Sequence, residues 1–153
     1  MKRTMLLLMM LFFSLATVAV AAEKKVAKAA VQQVIMVPGD IQWHAGPPAI
    51  PGAQMAVLEG DMTKAGFFVV RLKLPAGTKI APHFHDKVER VTVISGTVKL
   101  AMGVTQDNPT VLPAGSYFAI PPKKAHNAWV DEETVVQIAT HGPWSLHAVK
   151  GGK

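Results

Sequence analysis

Between Gly77 and Gly96 the chain reads GTKIAPHFHDKVERVTVISG, which places His83, His85 and Glu89 within seven residues of strongly β-forming sequence. Alternate side chains of an extended strand share a face. His83 and His85 therefore point to one side and Phe84 to the other. Glu89 keeps that parity if the strand continues through a short bend, and Val91 and Val93 follow it as apolar lining. His126 comes after a Gly/Pro-rich turn region, on a different strand, so a ligand shared with it would tie two parts of the fold together. Three imidazoles and a carboxylate in an apolar interior are costly unless a metal or partner satisfies them. The pattern predicts a metal site made of His83, His85, Glu89 and His126.

The chain has no cysteine, so disulfides and thiolate ligands are excluded. Past residue 34 no segment reads as a helix. Residues 34–37 (VIMV) and 41–44 are short strand candidates, and 45–53 hold too much Pro and Gly for regular structure. From Phe67 onward short strands alternate with turns. FFVVRLKL sets Val70, Leu72 and Leu74 against Arg71 and Lys73. Ser95-Gly96-Thr97 marks a hairpin or bend, and the Pro-Ala-Gly turns at 75–77 and 113–115 close other strands. Many short strands with regular turns imply a sandwich or a closed barrel.

The first residues read differently. Met1-Lys2-Arg3 is a short positive start, Met5 to Val20 is almost wholly apolar, and small residues precede Glu23. This is the pattern of a cleaved signal peptide over 1–22, with no stable membrane insertion after cleavage. A flexible leader over 23–33 and one domain over 34–150 follow. The address implied is the periplasm or the cell exterior. The net charge of +6 is scattered, with no Arg-rich helix and no basic–aromatic interleaving, which argues against nucleic-acid binding. Lys123-Lys124, close to His126, is a local feature suited to an anion.

The spacing Gly77-x5-His83-x-His85-x3-Glu89-x6-Gly96 resembles the first motif of the cupin superfamily at every position. Gly115-x5-Pro121 followed by His126 resembles the second. That motif departs at Lys123, where a glycine is usual, and at Val130, where an asparagine is usual. The resemblance spans roughly residues 67–140. It implies an all-β double-stranded β-helix, the jelly-roll barrel of cupins, with His83, His85, Glu89 and His126 as ligands. It also implies a homodimer. Nitrogen and oxygen ligands favour one divalent transition metal, Mn, Fe, Ni, Co or Zn.

The function that follows is a metalloenzyme of oxygenase, decarboxylase or isomerase type acting on a small molecule held in the barrel. The alternative is a non-catalytic periplasmic ligand-binding or sensor cupin, akin to the cupin domains of some anti-sigma factors. Gln137 is a candidate partner for a ligating histidine. Arg71 is expected to form a salt bridge across the sheet rather than bind a carboxylate substrate, and Tyr117 to pack in the core with its hydroxyl at the rim. Ala128 and Val130 are expected to face inward with His126, and Asn127 and Trp129 outward.

Overall fold

The apolar alternation of FFVVRLKL and TVVQIAT builds two long strands that pair in the middle of a sheet. The computed structural model describes residues 33–149, and eleven strands run through them. They are β1 (His44–Ala45), β2 (Gln54–Glu59), β3 (Gly66–Leu74), β4 (Lys79–Phe84), β5 (Glu89–Ser95), β6 (Thr97–Met102), β7 (Thr110–Pro113), β8 (Tyr117–Ile120), β9 (His126–Trp129), β10 (Thr134–Gly142) and β11 (His147–Ala148). One sheet has the order β1-β2-β3-β10-β5-β8 and the other β11-β4-β9-β6-β7. All pairings within them are antiparallel.

The topology is cupin-like, but the jelly-roll barrel expected from the sequence is not formed. No hydrogen-bonded pairing joins the two sheets, so each remains open at both ends. The edge strands explain this. β1 and β11 are two residues long and β7 and β8 four, and β7 ends on Pro113, which has no N–H to donate. Edges this short cannot be zipped to a neighbour along their length. The expected strand at 34–37 is also absent: these residues join no strand and are exposed, Ile35 by 77 %. The expected signal peptide, 1–22, lies outside the described residues, as does the leader except for Gln33. No helix among the described residues is long and apolar enough to cross a membrane.

The core lies between the sheets. β3 contributes Phe68, Val70, Leu72 and Leu74, β5 contributes Val91 and Val93, and β10 contributes Val136 and Ile138. Val98 and Leu100 of β6 and Val130 face them from the other sheet. Alternation thus places the inward residues where the sequence predicts them. The outward residues depart more. Tyr117 is 60 % exposed rather than packed in the core. Asn127 is fully buried, because its amide donates to the carbonyls of Gly103 and Thr105, at 3.3 and 2.8 Å, and ties down that loop. Arg71 makes no salt bridge among the described residues; its Nε donates to Gln137 Oε1 at 3.1 Å.

Ser95-Gly96-Thr97 is a bend that carries the chain from one sheet to the other. Gly96 has φ 73°. A methyl group there would collide with Thr134 Oγ1 and lie 2.7 Å from the Glu133 carbonyl oxygen. Both the left-handed backbone and the close approach require glycine. Gly96→Ala should lower unfolding stability by about 3 kcal/mol, read as a fall in the urea midpoint. A midpoint equal to wild type would show that the crossover is not under this constraint.

Candidate metal centre

A local irregularity sets up the site. Across β4 and β9, Ile80 pairs with Ala128 and His83 with His126, so β4 carries one extra residue in between. That stretch contains Pro82, which cannot donate to the ladder. The Ala81 carbonyl is left to accept a hydrogen bond from His83 Nδ1 at 2.7 Å. His83 and His126 become direct neighbours across the strands, with ring centroids 4.2 Å apart. His85, two residues on, turns to the same side. Glu89 opens β5 in the facing sheet.

All four side chains are buried, none more than 7 % exposed. The ligating atoms of His83, His85 and His126 lie within 4.8 Å of one another. Glu89 spans two of them, with Oε1 at 3.4 Å from His85 Nε2 and Oε2 at 3.4 Å from His126 Nε2. The sequence placed these four residues on one inward face, and the structure gathers them there.

The histidine tautomers follow from their partners. His83 Nδ1 faces the Ala81 carbonyl, His126 Nδ1 the Lys124 carbonyl at 3.0 Å, and His85 Nδ1 the Ser145 carbonyl at 2.7 Å. A carbonyl only accepts, so each Nδ1 carries the proton and each neutral ring turns a bare Nε2 inward. Gln137, the partner expected from sequence, is on the outer face bonded to Arg71. The three carbonyls leave no mark in sequence, because any residue can supply one.

Burial pushes His83 down to about 4, and the neighbouring His126 adds to the effect. Burial alone would raise Glu89. The surrounding histidines, His126 foremost, outweigh it and hold the carboxyl below its ordinary value. Neutral histidines beside an ionised carboxylate leave acceptors facing acceptors. His85 Nε2 is buried without a hydrogen-bond partner among the described residues, a situation that costs roughly 1–3 kcal/mol. A cation relieves it. Two donors each about 2.1 Å from one ion lie roughly 3.0–3.4 Å apart, which matches the two Glu89–histidine separations. Three imidazoles and one carboxylate also offset half the charge of a divalent ion. The residues fit a transition metal, and nothing in the donor set selects which one.

The polar cluster sits at one side of a cavity of about 50 Å³. Apart from Thr78 and the indoles of Trp129 and Trp144, the remaining lining is apolar, including Leu72, Val91, Val136, Ile138 and Leu146. Trp129, expected to face outward, is half-buried and borders this space. Trp144 also lines it, stacked on His85 at 6.1 Å, and its indole Nε1 is buried without a partner. Sequence reading gave Trp144 no role, and the only available signal was a large aromatic just after Gly142-Pro143.

The His83 shift predicts how the metal-free protein responds to acid. Its folded-state value lies below the ordinary 6.5, so the unfolded chain takes up the proton first. Its contribution is complete above about pH 6.5 and is lost as pH falls towards 4, by about 3 kcal/mol in all. Urea unfolding of metal-free protein across this range should show the decline, and His83→Gln should flatten it. An equal decline in His83→Gln would assign it to other groups.

Residues 31–145 match the family described as the ChrR cupin-like domain. No curated protein matches the sequence. Among solved structures, the polyketide cyclase RemF of Streptomyces resistomycificus is 14 % identical, covering 80 % of this chain and 89 % of that one, with a TM-score of 0.65. An acetylacetone dioxygenase from Acinetobacter johnsonii is 19 % identical over 82 % of this chain and 83 % of that one, with a TM-score of 0.63. The Rhodobacter sphaeroides complex of SigE with the anti-sigma ChrR is 17 % identical over 68 % of this chain and 50 % of that one, with a TM-score of 0.52. These structural likenesses show a shared fold, and the family match spans most of the sequence: the chain belongs to the ChrR cupin-like domain family of the cupin superfamily.

Proposed function

We propose that this chain is a metal-dependent cupin that binds one divalent transition ion through His83, His85, His126 and Glu89 and acts as an oxygenase-type enzyme on a small oxygen-bearing molecule. The observation that carries this is the set of three histidines locked with Nδ1 protonated, their bare Nε2 atoms gathered beside a buried carboxylate. When bound, such an ion supplies Lewis-acid or redox chemistry at its open positions. The protein's own part is to hold the ligands, keep water out and size the substrate. Among the described residues lining the cavity, the side chains with polar atoms beyond the four ligands are Thr78 and the indoles of Trp129 and Trp144. No free acid–base pair stands ready for hydrolysis or isomerisation. The limited space suits a compact substrate with few polar atoms, whose oxygens meet the centre and whose carbon skeleton meets the apolar wall. The structural likeness to acetylacetone dioxygenases supports small diketones as the first compounds to test.

A second reading, a non-catalytic sensor module, is favoured by the match to the ChrR cupin-like family. We also read residues 1–22 as an export signal, on the run from Met5 to Val20, and the chain as a homodimer, supported by the exposed apolar residues 34–37. Protein recovered from a bacterial periplasm should then begin at residue 23 by mass spectrometry. A chain still starting at Met1 would count against export.

Elemental analysis of the purified protein should find about one transition metal per chain, with His83→Ala retaining almost none. Full metal content in His83→Ala would refute the ligand assignment. Oxygen uptake with acetylacetone by the Fe- or Mn-loaded protein separates the two readings. Metal bound with no uptake across small diketones, catechols and organic acids would favour the sensor.

A further inference from the structure

A second group of polar side chains lies beside the centre without entering its cavity. Asp86 directly follows His85, and both of its oxygens are engaged. Oδ1 takes the Lys123 ammonium. Oδ2 accepts from the Ser145 hydroxyl at 2.8 Å and faces His147 Nε2 at 2.8 Å. The ring of Phe84 stacks on His147 at 4.9 Å and lies 5.0 Å from Lys123 Nζ. Two distant pieces of chain thus converge on Asp86: the turn after β8 and the segment leading into β11.

The same two pieces touch His85. The Lys123 N–H donates to the His85 carbonyl at 2.8 Å. The Ser145 carbonyl accepts from His85 Nδ1. Ser145 and His147 reach Asp86, while Trp144 and Leu146, between and before them, line the cavity.

His85 differs from its neighbours in what holds it. His83 and His126 are each held by a carbonyl two residues back in the chain. Short covalent tethers keep those carbonyls in place. His85 relies on a carbonyl 60 residues away, within residues 143–146, which belong to no strand. Its orientation and tautomer therefore depend on whatever fixes Ser145 in space.

We infer that Asp86 is a positioning residue of the metal centre: it anchors the Ser145 hydroxyl so that the Ser145 carbonyl holds His85 with its Nε2 bare, and Lys123 and His147 complete the anchor. The inference rests on the reading of His83, His85, Glu89 and His126 as ligands. Without the anchor, the His85 ring is free to turn or to take the other tautomer, with its hydrogen on Nε2, the form that cannot ligate.

The test uses the full mature chain. Long-range ¹⁵N–¹H NMR of the metal-free protein reads each ring's tautomer directly. Wild type should show His85 protonated at Nδ1. Asp86→Ala should show a mixture at His85 with His83 and His126 unchanged. Zn²⁺ affinity, measured by chelator competition, should fall about 10–100-fold in Asp86→Ala. Asp131→Ala, which removes another surface carboxylate away from the centre, should leave affinity unchanged. Lys123→Gly covers the case in which Asp86→Ala folds poorly. Lys123 has φ 64°, so glycine relieves its backbone while keeping the N–H. Its thermal midpoint should equal or exceed wild type while Zn²⁺ binds several-fold more weakly. Affinity falling only in step with stability would be a merely structural result and would overturn the inference. So would an Asp86→Ala protein with wild-type affinity and an unmixed His85. Failure of the wild-type protein to take up stoichiometric Zn²⁺ would instead overturn the reading of the centre, and the positioning role with it.

Discussion

The hydrogen bonds from three imidazole Nδ1 groups to backbone carbonyls decide what this interior can be. Each bond removes the ring's proton-bearing nitrogen from the cavity and leaves an acceptor pointing inward. Glu89 adds a fourth acceptor, its carboxyl held below its ordinary value by the surrounding histidines against the cost of burial. A group of acceptors enclosed by valines, leucines and isoleucines has no internal solution, since among the described residues no donor faces His85 Nε2. The polarity of the centre is thus complementary to a cation, and the apolar shell strengthens that preference by excluding competing water.

The two open sheets serve this arrangement without a closed ring of strands. β4 and β9 hold His83, His85 and His126, and β5 brings Glu89 from the facing sheet, so the centre bridges the layers at one place. Elsewhere the layers meet mainly through apolar side chains, with Thr134 of β10 hydrogen-bonded to the backbone of Thr97 in β6. The bulge at Ala81-Pro82 sets the cross-strand pairing of His83 and His126 and also frees the carbonyl that orients His83. One proline therefore shapes both the spacing and the protonation state of the site.

Much of this is legible in sequence because it depends on parity. His83 and His85, then Glu89, Val91 and Val93, alternate as extended chain must, and so do Val70, Leu72 and Leu74. Parity says which side a residue faces, not what meets it there. Asn127 faces away from the cavity as expected yet is wholly buried beneath the 103–105 loop. Gln137 in an apolar strand invited a role at the centre, but Arg71, paired with it across β3 and β10, takes its amide oxygen. Closure into a barrel was not legible either, because it depends on how far the edge strands extend and not on how many strands there are. The Ser145 carbonyl lies beyond any pattern, since its role belongs to the backbone of a segment 60 residues from its partner.

Lys123 poses the sharpest conflict between local and tertiary demands. The turn it occupies requires a left-handed backbone, which costs a residue with a Cβ roughly 1 kcal/mol or more, and a cupin motif normally places glycine there. Its ion pair with Asp86 is partly exposed, and such pairs contribute roughly 0–1 kcal/mol. Folding stability alone gives no net reason for lysine at this position. What glycine lacks is the ammonium, which holds the Asp86 carboxyl well below the usual carboxylate range together with His147 and Ser145. The ammonium fixes the Asp86 carboxylate in place as the acceptor for the Ser145 hydroxyl, and Ser145 is the residue on which the orientation of His85 depends. The strain at Lys123 is then offset at the centre rather than in the turn that bears it.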